Sequence, residues 1–123
     1  MFATTFAPFS AGTVQRVRDI GQVLLHSNAS VTPEPVVDAS FGLLWPNEMT
    51  TAPLGSGPSR FVLGDGFLLP GQETGSVVEV ELGGKARRLG TPETDWFYHK
   101  AFYIDVNQDG LLDIITGKKF CLS

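Results

Sequence analysis

The sequence contains a single cysteine, Cys121, among its 123 residues. An intrachain disulfide is therefore impossible, and a zinc site built on thiolates has no second ligand. Only two histidines are present, His26 and His99, and no His-x-x-x-His spacing points to a zinc enzyme. Stability must come from the packing of apolar side chains, alone or together with a bound ion of another kind.

Long hydrophobic runs and positive charge are also scarce. Pro, Gly or a charged residue interrupts every apolar stretch well before the roughly 18 to 20 residues that cross a bilayer, so we predict no membrane span. Nine Lys and Arg against thirteen Asp and Glu give a net charge of −4. Such a chain has no basic field for a phosphate backbone, and we predict no nucleic-acid partner. The opening MFATTFAPFSAG lacks the basic start and apolar core of a secretory signal, so no signal peptide is readable.

The residues that are present divide the chain into two zones. Residues 1–35 are interpreted as an N-terminal extension, in which helical spacing of apolar residues predicts a short amphipathic helix over 15–26. A linker of turn residues follows, and within it Asn28 begins an Asn-Ala-Ser triplet that matters as a glycosylation acceptor only in a secreted chain. Residues 36–123 form the second zone, the candidate folded region.

Short apolar runs separated by Gly and Pro fill this second zone. Runs of strand length bounded by turn residues are typical of an all-β fold of short antiparallel strands. The alternation in 77–82 predicts that Val78 and Val80 face a core while Glu79 and Glu81 face water. The predicted strands cover residues 36–37 with 41–45, 61–63, 67–69, 77–82, 85–89, 96–104 and 111–116, with a Gly-Gly turn joining 77–82 to 85–89 in a hairpin.

One nine-residue stretch, residues 105–113, has the spacing of a cation-binding loop. Oxygen-bearing side chains stand at relative positions 1, 3, 5 and 9, and Gly110 stands at position 6, where a sharp bend is needed. Calcium takes six to eight oxygen ligands, which a loop supplies by turning alternate side chains inward. We therefore predict a Ca²⁺ site formed by the side chains of Asp105, Asn107, Asp109 and Asp113 and the backbone carbonyl of Leu111.

Two other interpretations of this loop stay open. It could be an acidic surface turn without a metal. It could also be an EF-hand-like calcium sensor, because Thr91 and Pro92 could start a helix before the loop. Against the sensor, position 12 is Thr116 instead of a bidentate glutamate, and the β-branched run after Asp113 favours a strand.

The run His99 to Gly117 resembles the FG-GAP/VCBS repeat family, the calcium-binding blades of integrin-α-like β-propellers. In that family an apolar strand ends on the first Asp of D-x-[DN]-x-[DN]-G-x-x-D, and a second apolar strand closing on Gly follows. A weaker resemblance over 64–80 suggests part of a preceding, metal-free blade. The resemblance implies the same five ligands, a partial propeller comprising one incomplete blade and the start of a calcium-loop blade, and a location outside the cell.

The function that the resemblance implies is that of a non-enzymatic, calcium-stabilised adhesion or scaffold module with a protein or carbohydrate ligand. The alternative is the N-terminal fragment of a propeller enzyme acting on carbohydrate. A propeller needs four to eight blades, which 123 residues cannot supply. We therefore expect the chain to be a fragment whose missing blades lie downstream.

Overall fold

The structure is a computed structural model, which describes residues 2–5, 13–16, 34–66, 74–83, 85–94 and 96–120. Within these ranges the regular structure consists of nine strands and one 3₁₀ turn, so the all-β prediction is confirmed. None of the described elements is a helix long and apolar enough to span a membrane. The elements are β1 (Phe2–Thr5), β2 (Thr13–Arg16), β3 (Glu34–Pro35), a 3₁₀ turn (Ala39–Phe41), β4 (Pro46–Thr51), β5 (Arg60–Asp65), β6 (Thr74–Glu81), β7 (Lys85–Thr94), β8 (Trp96–Ile104) and β9 (Asp113–Phe120).

The strands form two sheets. A small antiparallel sheet has the order β1-β2-β3, and a six-stranded sheet has the order β7-β6-β5-β4-β8-β9. The larger sheet curls into a half-barrel, an architecture consistent with a partial propeller-like fold. Its neighbours are antiparallel except where β4 meets β8, a parallel contact at Glu48 and Lys100. This parallel contact departs from the expectation of antiparallel pairing throughout.

Most of the predicted strands are present. The hairpin across the Gly-Gly turn is confirmed, with Glu81 opposite Lys85. The region 36–45 differs from its prediction, because it holds a 3₁₀ turn and the strand comes later, at β4. The sequence of β4, PNEMTT, is too polar to be recognised by its hydrophobicity. The strand predicted at 67–69 lies outside the described residues.

The N-terminal zone contributes to the main core. β2 includes residues 15 and 16, so the helix predicted over 15–26 does not begin there, and its remaining residues lie outside the described ranges. Val14 on β2 is fully buried and packs in the same cluster as Val37, Leu43, Phe61 and Val78. Burial of this kind removes apolar surface from water and stabilises the fold. The division at residue 35 stays a prediction.

Both faces of β5 are buried because the sheet curls over itself. Phe61 and Leu63 belong to the cluster on one face, whereas Val62 packs with Tyr98 and Ala101 of β8 on the other face. Successive residues of a strand point to opposite faces, so a strand buried on both faces carries consecutive apolar residues, as Phe61 to Leu63 of β5 do. β8 therefore lies over the second face of β5.

The burial of Glu79 is the clearest consequence of β8 lying over this face of the sheet. It was predicted to face water, yet only 12% of its side chain is exposed. Its carboxylate accepts hydrogen bonds from the hydroxyl of Tyr103 at 2.8 Å and from Nη2 of Arg87 at 2.6 Å. Burial raises the pKa of Glu79, but these two hydrogen bonds and the charges of Arg87 and Arg60 outweigh it, so the pKa lies below its ordinary value. The buried side chain therefore stays ionised at neutral pH.

A second carboxylate, Glu93, joins the end of β7 to β8 and β9. It accepts a hydrogen bond from the hydroxyl of Tyr98 at 2.6 Å and pairs with the ammonium of Lys118 at 2.5 Å. The same ammonium lies 4.5 Å from the ring centroid of Trp96, within cation–π range. These contacts hold the curled sheet together at one end.

Both tyrosines of the chain should ionise at unusually high pH. Burial, then the hydrogen bond to Glu93 and the charge of Glu93, raise the pKa of Tyr98 to about 12. Burial and Glu79 raise the pKa of Tyr103 as well. We expect Glu93→Gln to lower the pKa of Tyr98 towards its ordinary 10.0 while Glu81→Gln leaves both tyrosines unchanged, as measured by ultraviolet titration. Ionisation of both tyrosines near pH 10 in a wild-type chain shown to be folded by circular dichroism would contradict these contacts.

Candidate metal site in the β8–β9 loop

The loop predicted to bind calcium connects two strands that pair with each other. β8 ends at Ile104, β9 begins at Asp113, and these two residues face each other across the hairpin. The pairing brings the first and last predicted ligands, Asp105 and Asp113, to the same end of the hairpin. An EF-hand needs a helix on each side of its loop. The loop is therefore flanked by two strands, and the EF-hand interpretation, which requires two flanking helices, is wrong.

Two residues with left-handed backbone conformation make the loop turn sharply. Gly110 has a φ of +86°, as its place at relative position 6 predicts. Gln108 has a φ of +59°, the one positive φ of a non-glycine residue in the described ranges. Side chains are disfavoured at positive φ, so a Gln held there marks a backbone fixed by its surroundings. The bend turns the backbone amides of 109–111 towards the side chains of the loop.

The carboxylates of the loop accept hydrogen bonds from these amides. The two oxygens of Asp105 accept from the amide of Asp109 at 3.1 Å and from the amide of Gly110 at 2.8 Å. Asp113 accepts from the amide of Val106 at 3.0 Å, which fastens the far end of the loop to its start. Each of these bonds lies within ordinary hydrogen-bond distance. Asp105 and Asp113 are thus held facing the inside of the loop.

Asn107 and Asp109 are in direct contact. The amide nitrogen of the Asn107 side chain donates to one carboxylate oxygen of Asp109 at 2.9 Å, and the amide of Leu111 donates to the other at 2.8 Å. The hydrogen bond from Leu111, followed by that from Asn107, lowers the pKa of Asp109 below its ordinary value. Asp109 is therefore a carboxylate at any pH at which calcium would be tested.

The three carboxylates of the loop have no cationic partner among the described residues. The ion pairs of the lysines lie elsewhere, with Lys100 bound to Glu48 and Lys118 bound to Glu93. Like charges held close together repel one another, and an oxygen-seeking cation would relieve that repulsion. In charge and in donor chemistry the loop suits a hard cation.

The loop has donor atoms of the right kind, but they are not arranged as a cation site. Among the described residues, no group of three or more His, Cys, Asp or Glu side chains is placed so that it could hold a metal ion. The structure brings the side chains of Asn107 and Asp109 into contact, whereas the carboxylates of Asp105 and Asp113 both accept from backbone amides of the loop. A cation bound by all of the predicted ligands would require Asn107 to release Asp109 and present its own oxygen.

Exposed apolar side chains border the loop, a feature that was not predicted from the sequence. Leu111 and Val106 within the loop are 70% and 58% exposed. Ile104 and Ile115 on the flanking strands are 42% and 41% exposed. Alternation along β9 could have indicated the outward position of Ile115, whereas exposure within the loop follows from its bend. The loop is thus an acidic patch with an apolar border.

Comparison of the chain with protein-family models, with curated proteins and with solved structures gave no match. The resemblance to FG-GAP/VCBS repeats therefore depends on the sequence, on the run His99 to Gly117 and more weakly on residues 64–80.

Proposed function

We propose that this chain is a calcium-binding, non-enzymatic module of β-propeller type, related to FG-GAP/VCBS repeats and acting in adhesion or scaffolding outside the cell. The observation that supports calcium binding is an acidic loop, without a described cationic partner, between two paired strands. The extracellular and adhesive parts of the proposal depend on the sequence resemblance. The non-enzymatic part depends on the absence of a nucleophile motif from the sequence.

Calcium would act as a structural clamp in this proposal. Asp105 directly follows β8 and Asp113 begins β9, so an ion held between them would join the adjoining ends of the two strands. The side chains of Asp105, Asn107, Asp109 and Asp113 and the carbonyl of Leu111 would supply its oxygens. A ligand that binds only the folded state stabilises that state by mass action.

The proposal predicts a calcium-specific rise in melting temperature. At free calcium about 100 times the dissociation constant, linkage gives roughly 2.7 kcal/mol of added stability. For a chain of this size the gain corresponds to a shift of roughly 10 °C. Magnesium should shift the melt far less, because it requires compact octahedral geometry and keeps its waters. The measurement is thermal unfolding by circular dichroism in EDTA, in calcium and in magnesium.

Matched variants assign the effect to the loop. Asp109→Asn preserves an oxygen that can accept from the amide of Leu111 but removes one negative charge, so it should remove most of the calcium shift. Glu81→Gln removes one charge outside the loop and should leave the shift intact. If Asp109→Asn retains the full shift, or if Glu81→Gln loses it, any calcium effect arises elsewhere in the chain.

A further inference from the structure

The last strand of the larger sheet, β9, is an edge strand. Its partner is β8, and in the described part of the chain its other side pairs with no strand. β9 is eight residues long, contains no proline, and is exposed from Ile115 to Lys119. Such an edge presents unpaired backbone groups that can pair with another strand.

The two faces of β9 differ in their contacts. Ile114 packs against the second core cluster, and Lys118 bonds to Glu93, so the even-numbered residues face the curl of the sheet. Successive side chains alternate between the faces. The outward face therefore carries Asp113, Ile115, Gly117 and Lys119, and one carboxylate oxygen of Asp113 also accepts the hydrogen bond from the amide of Val106 in the loop.

The outward face has one acid at its start and one base at its end. Within the described ranges, neither Asp113 nor Lys119 forms an ion pair. A lysine on an edge strand ordinarily discourages pairing with other chains. Here the opposite charge lies six residues away on the same face, so an antiparallel copy of the strand could neutralise it.

We propose that β9 pairs with β9 of a second copy of this chain, antiparallel and in a single register, about a two-fold axis through Thr116. In this register Asp113 lies opposite Lys119 of the second copy, and Ile115 lies opposite Gly117, which leaves room for it. The symmetry produces each of these pairs twice. The two six-stranded sheets become one continuous sheet.

The neighbouring registers are less favourable. Residues directly opposite each other in a sheet point to the same face, so the axis must pass through a residue and not between two. With the axis at Ile115, Asp113 faces Gly117 and Lys119 faces Leu111. With the axis at Gly117, Lys119 faces Ile115. Only the axis at Thr116 pairs the two charges.

A charge-swap experiment tests the interface. In sedimentation equilibrium with EDTA present, the wild-type chain should be in a concentration-dependent monomer–dimer equilibrium. Lys119→Asp makes both charge pairs repulsive and should raise the dimer dissociation constant about tenfold or more. Asp113→Lys combined with Lys119→Asp should restore the wild-type value. A monomer at every concentration, or a double variant as weak as the single one, would overturn the proposal, and EDTA keeps either result separate from calcium binding.

Disulfide trapping tests the register independently. In a Cys121→Ser background, Thr116→Cys places two cysteines directly opposite each other, within the Cα separation of about 4.4 to 6.8 Å that a disulfide needs. Ile115→Cys is the matched control, because its diagonal separation of about 7 to 8 Å is too long. We expect covalent dimer from Thr116→Cys well in excess of that from Ile115→Cys. Equal trapping, or more from Ile115→Cys, would show that this register is wrong.

Discussion

Replacing Gly64 by alanine should lower the free energy of unfolding by about 3 kcal/mol, at the upper end of the usual cost of overpacking. A Cβ at this position would lie 2.3 Å from the carbonyl oxygen and 2.7 Å from the carbonyl carbon of Tyr98. These are backbone atoms, which cannot rotate away as a side chain could. The absence of a side chain at Gly64 allows β8 to cross β5 closely.

Gly117→Ala is the matched control for this prediction. Gly117 also lies in a strand without positive φ, but no atom lies within 4 Å of the place where its Cβ would be. We expect Gly64→Ala to lower the midpoint of urea unfolding in dilute solution, whereas Gly117→Ala leaves it nearly unchanged. Similar stability of the two variants would mean that β8 does not cross β5 at this distance.

Asp65→Ala should cost about 2 to 4 kcal/mol because Asp65 satisfies backbone groups inside the fold. Asp65 is 1% exposed. Its carboxylate accepts from the amide of Trp45 at 2.8 Å and from the amide of Leu44 at 3.1 Å. Alanine would leave these donors without acceptors, whereas Asp65→Asn retains one oxygen and should cost less. Chemical denaturation of the three proteins checks this order, which fails if Ala and Asn are equally destabilising.

The same residue predicts a pH dependence. Burial raises the pKa of Asp65 above its ordinary value of 3.8, against the opposing hydrogen bonds from Leu44 and Trp45. A folded-state pKa above the unfolded one contributes stability that is complete below the unfolded value and is lost as the pH rises through the folded one. The unfolding free energy of wild type minus that of Asp65→Asn should therefore fall as the pH rises from about 3 to about 7. A difference that grows with pH would contradict the raised pKa.

The strands of this fold could be predicted where a local signal specifies them. The hairpin of β6 and β7 follows from alternation and a Gly-Gly turn, and β9 follows from its β-branched start at Ile114 and Ile115. β4 could not be recognised because its residues are mainly polar. β4 is held in place by long-range contacts, such as that of Asn47 with the carbonyls of Gly66 and Tyr98.

Long-range packing also explains the wrong prediction for Glu79. Alternation shows which residues share a face, but it does not show whether another strand covers that face. β8 lies over the face that carries Glu79, and Tyr103 provides the buried hydrogen bond. The covering strand follows Glu79 by some twenty residues, so no local pattern around Glu79 could indicate it.

The position of the candidate site, in a loop between two strands, could be predicted from the sequence, but the hydrogen bonds within the loop could not. The spacing from Asp105 to Asp113 and the bend at Gly110 correspond to the loop in the structure. The hydrogen bonds that occupy Asp105 and Asp109 depend on where the backbone amides of the loop point. Those directions follow from φ and ψ, which spacing alone does not specify. Calcium binding itself stays a prediction.

Titration calorimetry of calcium into the folded chain is the most direct test of the central proposal. We predict a saturable heat of binding with one calcium per chain, lost or strongly weakened in Asp109→Asn and retained in Glu81→Gln. Circular dichroism on the same samples shows that all three proteins are folded. If calcium at about 1 mM, the weak end of the range for extracellular modules, gives no heat with folded wild type, the loop is an acidic turn and the proposed function is wrong.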